Sequence, residues 1–213
     1  MTISTRAHLL LGAVALAGCT VPAVKDYEKF YEQAPFTVIV LPVRNHTADV
    51  EAPKFFLATI TKPLVDRGYY VMPVEATSAI LTAEGLGDGD ALGAVDPKKF
   101  RDHLGADAVL YITLLSWETS YVILASSVTV SMEYKLVSTS TGDVLWETAQ
   151  TQTVQSNSNN SGGGIGALIA MAVSAAVTAA STDYVPMAMQ ANINSCATLP
   201  PGPYNERFEE AKK

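Results

Sequence analysis

Apolar residues in the middle of this chain switch between continuous runs and helical spacings, and the switches lay out most of a fold. Phe36-Thr37-Val38-Ile39-Val40-Leu41-Pro42-Val43 is a β-branched run with almost no polar break, which suits a central strand covered on both faces. Arg44-Asn45-His46-Thr47 then reads as a loop. Pro53 suits a first helical position, and Phe56, Ile60 and Leu64 recur at four-residue steps along one helix face. Pro63 has no amide to donate and crowds the preceding turn, so it should kink that helix or limit it to its last turn. Gly68 is placed to end the helix, and Tyr69-Tyr70-Val71-Met72-Pro73-Val74 reads as a second strand.

Ala76 to Glu84 fits a short helix, and the glycines and acids of Gly85-Leu86-Gly87-Asp88-Gly89-Asp90 forbid a packed element after it. A cleaner helix follows, with Asp96 as cap, Pro97 in the first turn, Phe100 and Leu104 on one face and Gly105 at its end. Ala108-Val109-Leu110-Tyr111-Ile112-Thr113-Leu114-Leu115 is another apolar run, so residues 36–115 read as β-α-β-α-β. The rhythm then changes to period two. Val128, Val130, Met132, Tyr134 and Leu136 alternate with Thr129, Ser131, Glu133 and Lys135, the pattern of a strand with one wet face. Turn residues Ser138 to Asp143 lead into a partner strand from Val144 to about Thr153, so a β-hairpin extends one mixed sheet. The expected class is α/β, with helices packed on that sheet.

No charged residue occurs from Thr148 to Thr182. Within that span Ile165 to Ala180 is too short, and too rich in Ala, Ser and Gly, for a membrane helix of about 20 residues. A C-terminal small-residue helix packed on the sheet or on a second copy of the chain is the better reading. An open sheet also has edges that need cover, which keeps a homo-oligomer in view. Leu199-Pro200-Pro201-Gly202-Pro203-Tyr204 is stiff and irregular, and residues 208–213 read as an exposed tail.

The N-terminus adds an address. Arg6 and the start amine precede the apolar stretch Leu9 to Ala15, and Leu16-Ala17-Gly18-Cys19 resembles the lipobox at which bacteria cut a signal peptide and acylate the new terminal cysteine. The expected division is a signal peptide over 1–18, a lipidated tether over 19–35, a periplasmic domain over 36–207 and the tail. By the same resemblance Cys19 carries a diacylglycerol on sulfur and a third acyl chain on nitrogen. Thr20, which is not Asp, favours the outer membrane, with the domain facing the periplasm. Tyr27, Phe30 and Tyr31 suggest that part of the tether docks onto the domain.

Removing residues 1–18 leaves 195, enough for one domain, and takes away Arg6 but no acid. Lys+Arg then falls from 14 to 13 against 21 Asp+Glu, a formal charge of −8. Phosphate backbones and anionic headgroups repel such a surface, so nucleic acid is disfavoured and attachment falls to the acyl chains. With Cys19 lipidated, Cys196 has no intramolecular partner, which excludes a disulfide framework and leaves it most simply a small buried apolar residue.

Candidate chemistry is sparse. His46 follows the first strand, where α/β sheets gather ligands, while His103 lies near a helix end and suits a solvated role; neither has zinc-type spacing. Asp88-Gly89-Asp90 lacks the ligand set of a calcium loop. Gly162-Gly163-Gly164-Ile165-Gly166 lacks the lysine and hydroxyl of a P-loop and reads as a connector. No Gly-x-Ser-x-Gly elbow is present. The expectation is a protein without catalytic, cofactor or metal residues, in which Cys19 is the functional position.

The order of motifs carries a likeness. Val38-Ile39-Val40-Leu41-Pro42, Arg67-Gly68-Tyr69-Tyr70-Val71, Leu104-Gly105-Ala106-Asp107-Ala108-Val109-Leu110 and Thr141-Gly142-Asp143-Val144-Leu145-Trp146 together resemble a TolB amino-terminal or CsgG-type periplasmic domain. With the glycine-led small-residue helix and Gly202-Pro203-Tyr204, the chain is similar to a family of proteobacterial outer-membrane lipoproteins of unknown function. That resemblance implies a non-enzymatic component of an envelope assembly for secretion, transport or integrity. Its implied partners are a CsgG-like lipoprotein and another small lipoprotein. The alternative is a lipoprotein that binds a small molecule or peptidoglycan fragment at the strand ends near His46 and Asp88.

Overall fold

Two kinds of strand share one sheet. The computed structural model describes residues 27–122, 125–156 and 184–212. Along them run α1 (Glu28–Gln33), β1 (Thr37–Val40), β2 (Arg44–Asn45), α2 (Ala52–Thr59), α3 (Thr61–Asp66), β3 (Tyr70–Val71), α4 (Val74–Ala83), α5 (Gly89–Leu92) and α6 (Lys98–Leu104). The long strands β4 (Ala108–Val122), β5 (Ala125–Ser138) and β6 (Val144–Ser156) follow, then α7 (Val185–Cys196) and α8 (Phe208–Ala211). The sheet is mixed, as expected, with order β3-β1-β4-β5-β6 and β2 beside β4. Strands β1 to β4 pair in parallel, and β4, β5 and β6 pair antiparallel.

Both faces of β1 are covered, which is why its sequence is apolar without alternation. On one face Phe30, Phe56, Ile60, Leu64, Met187 and Ala191 meet Val38, Val40, Leu110, Ile112, Met132 and Leu136. On the other, Leu81, Leu92 and Phe100 of α4, α5 and α6 meet Ile39, Leu41, Val109, Tyr111 and Val137. The expected Pro63 effect is a clean break: the helix stops at Thr59, and Pro63 becomes the third residue of α3, inside a first turn that needs no amide donor. Phe56, Ile60 and Leu64 stay on one buried face across the break.

Bulges set where side chains point along β4. From Val40↔Leu110 to Arg44↔Thr113 the β1–β2 side advances one residue more than β4, with Pro42 in the gap. A second irregularity leaves Leu115 unpaired between Leu114↔Met132 and Ser116↔Ser131. It turns Trp117 to the same face as Val130, where it packs on Phe55, Phe56 and Tyr184.

Two distant motif pairs meet in space. The Gly202 and Tyr204 amides donate to the Arg67 and Gly68 carbonyls at 2.7 and 3.1 Å, and the Tyr69 hydroxyl donates to the Pro200 carbonyl at 2.6 Å. A Cβ on Gly202 would stand 2.6 Å from the Gly68 oxygen, so only glycine permits this approach. Asp107 accepts the Phe36 and Thr37 amides at 3.2 and 2.9 Å, and the buried Thr139 hydroxyl donates to the Ala106 carbonyl at 2.6 Å. Helix α1 docks onto the sheet domain, with Phe30 buried, Lys29 Nζ 2.8 Å from Asp143 and Gln33 bonded to Thr141 at 3.2 Å.

Several expectations need correction. Arg44-Asn45 is strand, because its backbone continues beside β4 after the bulge. Residues 85–90 do not stay unpacked: Asp88 accepts the Asp90 amide at 3.0 Å and starts α5, whose Gly89 is buried against Pro42 and Val43. The second strand is only Tyr70–Val71, and the expected hairpin is a three-strand meander because β4 runs on to Val122. Helix α7 had no sequence expectation. Phe208 is buried beside Tyr31, while Glu209 to Lys212 are exposed. Cys19, the glycines 162–166 and the expected 165–180 helix lie outside the described residues.

Candidate functional site

The bulge after β1 delivers Arg44 to the second sheet face just where the cover of α4 to α6 ends. Its Nε donates to the Gly89 carbonyl at 3.2 Å and its guanidinium carbon lies 5.2 Å from the Tyr111 ring centre. A Cβ on Gly93 would collide with the guanidinium, so that glycine gives Arg44 its passage. Beyond Arg44 no helix among the described residues covers this face of the sheet. Thr113 and Glu133 face each other across β4 and β5, and Lys135 faces Glu147 across β5 and β6. With Tyr111, Thr148 and Ala149 these residues line an open cleft of about 390 Å³. Burial pushes the Tyr111 hydroxyl up; Arg44 opposes that shift and Asp96 adds to it. Two cationic and two anionic side chains on one polar floor suit an amphoteric ligand better than a purely anionic one.

Residues singled out in the sequence are brought only partly together. His46 Nε2 lies 3.4 Å from Asp90 Oδ1 at an exposed position near the cleft, and Asp88 is spent on capping α5. His103 is exposed in the last turn of α6. Cys196 is buried on α7, and burial pushes its thiol up to about 12, so it stays protonated and inert toward electrophiles. Among the described residues no group of three His, Cys, Asp or Glu side chains is placed to hold a metal ion. No helix among them is long and apolar enough to cross a membrane.

Sequence reasoning passed over Arg44, Tyr111, Glu133, Lys135 and Glu147. The signal was there in part: Glu133 and Lys135 sit on the wet phase of the period-two pattern, and Tyr111 is the polar-tipped residue of an apolar run. The bulge that aims Arg44 at them left no periodic trace.

Comparison with known proteins bears on the whole chain. A family model described as "Putative lipoprotein GNA1162-like" matches residues 25–202. The Neisseria meningitidis lipoprotein NMB1124/NMB1162 is 36% identical over 167 residues, covering 77% of each chain. The crystal structure of lipoprotein GNA1162 from Neisseria meningitidis superposes with a TM-score of 0.54 at 34% identity, covering 67% of this chain and 98% of that one. A weaker likeness joins it to the C-terminal domain of LpoB from Salmonella enterica, with a TM-score of 0.39 at 18% identity over 59% of this chain and 94% of that one.

Proposed function

The chain belongs to the GNA1162-like lipoprotein family, and from that premise we propose that it is a lipid-anchored, non-enzymatic component of an outer-membrane lipoprotein assembly. It is held by acyl chains on Cys19 and acts beside a CsgG-like lipoprotein in secretion, transport or envelope integrity. The observation that carries this reading is the second face of the β4–β6 arm, which no described residue covers. Thr129, Ser131, Glu133 and Lys135 on β5 and Thr151 and Thr153 on β6 form a polar, one-sided surface. Arg and aromatic side chains are enriched in protein contacts, within a polar rim, and Arg44 and Tyr111 stand at the border of this face. Gentle detergent extraction and affinity purification of the full-length protein tests the proposal: a second lipoprotein should co-elute in fixed ratio, and recovery of a lone monomer would sink it.

The cleft at Arg44 favours a second reading, a lipoprotein that binds a small molecule or peptidoglycan fragment. A peptide-bearing fragment carries both charge signs, as the floor of the cleft does. Saturating soluble muropeptide should then raise the Tm through mass action, and Arg44→Ala should abolish the rise. No rise in the parent protein ends this reading.

A further inference from the structure

Tyr27 lies at the end of the domain opposite the Val122 end of β4. Cys19 lies eight residues before Tyr27, a span of at most about 28 Å even when fully extended. Tyr27 is itself fixed, since its hydroxyl donates to the Thr198 carbonyl at 3.3 Å and the helix that follows is pinned by the buried Phe30. From Ala108 the strand β4 runs fifteen residues to Val122, about 45 Å at the rise of a β-strand. Val122, at the far end of β4, is therefore farther from Tyr27 than an eight-residue tether can reach.

The tether's end of the domain also carries an unusual exposed group. Phe36, two residues beyond the left-handed Ala34 that closes α1, lies between Tyr204 at 4.5 Å and Tyr70 at 6.0 Å. Tyr204 is 75% exposed and Tyr70 52%. A stacked aromatic body with hydroxyl tips matches the headgroup layer of a bilayer, apolar on one side and wet on the other. The same end bears Glu28, Glu32, Glu206, Glu209 and Glu210 beside Lys29, Arg67, Arg207 and Lys212, a mixed set with no excess of positive charge to draw it to an anionic membrane.

We infer that this end, through Tyr70 and Tyr204, rests on a zwitterionic phospholipid surface, so that the β4–β6 arm and the cleft at Arg44 stand away from the membrane. The inference builds on acylation of Cys19, and the test separates the two. Mass spectrometry of the mature protein from envelopes reads the acylation. For the orientation, the chain starting at Cys19 is coupled through that thiol to a maleimide phospholipid in phosphatidylcholine nanodiscs, the buried Cys196 being protected. Headgroup spin-labelled lipid should broaden the amide resonances of Tyr70, Tyr204 and Glu206 and spare those of Thr129, Thr151 and Thr153. Equal or greater broadening of the arm would overturn the orientation, whatever the acylation result. Tyr70→Ser with Tyr204→Ser should cut the broadening at Glu206 several-fold, and unchanged broadening would remove the two tyrosines from the contact. Stronger broadening on phosphatidylglycerol discs would overturn the choice of a zwitterionic surface.

Discussion

Asn192 joins three elements of the molecule, α2, α7 and β5, through one buried amide. Its Nδ2 donates to the Phe56 carbonyl at 2.9 Å and the Thr59 hydroxyl at 2.8 Å, and its Oδ1 accepts from the Tyr134 hydroxyl at 2.6 Å. Removing the amide strands partners that water cannot reach, so Asn192→Ala should cost about 2–3 kcal/mol. For a domain of this size the Tm should fall by roughly 5–10 °C, read by thermal unfolding. Tyr134→Phe, which removes one donor and keeps the ring, should cost less. Cys196 predicts a pH dependence. Its thiol is raised from 9.0 to about 12 in the fold, so the native state holds a proton that the unfolded chain releases. Stability is therefore intact below pH 9 and declines as pH rises toward 12. Cys196→Ala should flatten the first part of that decline in urea titrations between pH 8 and 10. Burial of Cys196 was legible from its lack of a partner, whereas the Asn192 network was not: nothing in the sequence distinguishes a buried asparagine from a surface one.

At the scale of elements, apolar rhythm and turn residues located β1, α2, α6 and the alternating strand β5, because each of those signals is local. Two elements were invisible for identifiable reasons. Helix α7 buries Met187, Ala188, Ala191, Asn192, Ser195 and Cys196, one large apolar side chain among small or polar ones, which gives no clear hydrophobic stripe; only Pro186 at its start marked it. Helix α5 is dictated by its contact, since Gly89 sits where a Cβ would be 2.6 Å from the Pro42 oxygen and 2.9 Å from the Arg44 amide. Those neighbours are backbone and cannot move aside, so Gly89→Ala should cost about 1–3 kcal/mol and displace α5 from the β1–β2 corner. Hydrogen exchange would show the damage as faster exchange over residues 88–95. Helix α1 divides its docking unequally. Phe30→Ala empties a fully buried site and should cost about 3–5 kcal/mol, freeing the tether to proteases near Tyr31. Lys29→Ala removes only an exposed ion pair and should leave cleavage unchanged.

Across the whole molecule the asymmetry of the arm is what needs a purpose. Its three strands run thirteen to fifteen residues, yet the helices on the second face reach only as far as Tyr111 and Val137. Beyond that limit the arm is held by cross-strand pairs, Thr129 to Thr153 at 3.0 Å and Ser131 to Thr151 at 2.8 Å, each worth about 0.2–1 kcal/mol. Such pairing holds the face without a second layer from the described residues, which leaves it available to a partner. Thr151→Arg places a long charged side chain on it while leaving the first-face core untouched. Its cost in stability should stay within about 1 kcal/mol, because only one exposed hydrogen bond is lost. If the arm is the contact, recovery of co-purifying lipoprotein should nonetheless fall several-fold. Thr151→Ser keeps the cross-strand bond and the flat surface, so it should retain the partner. Equal recovery with both variants would move the contact elsewhere and leave the arm's length without an explanation in assembly.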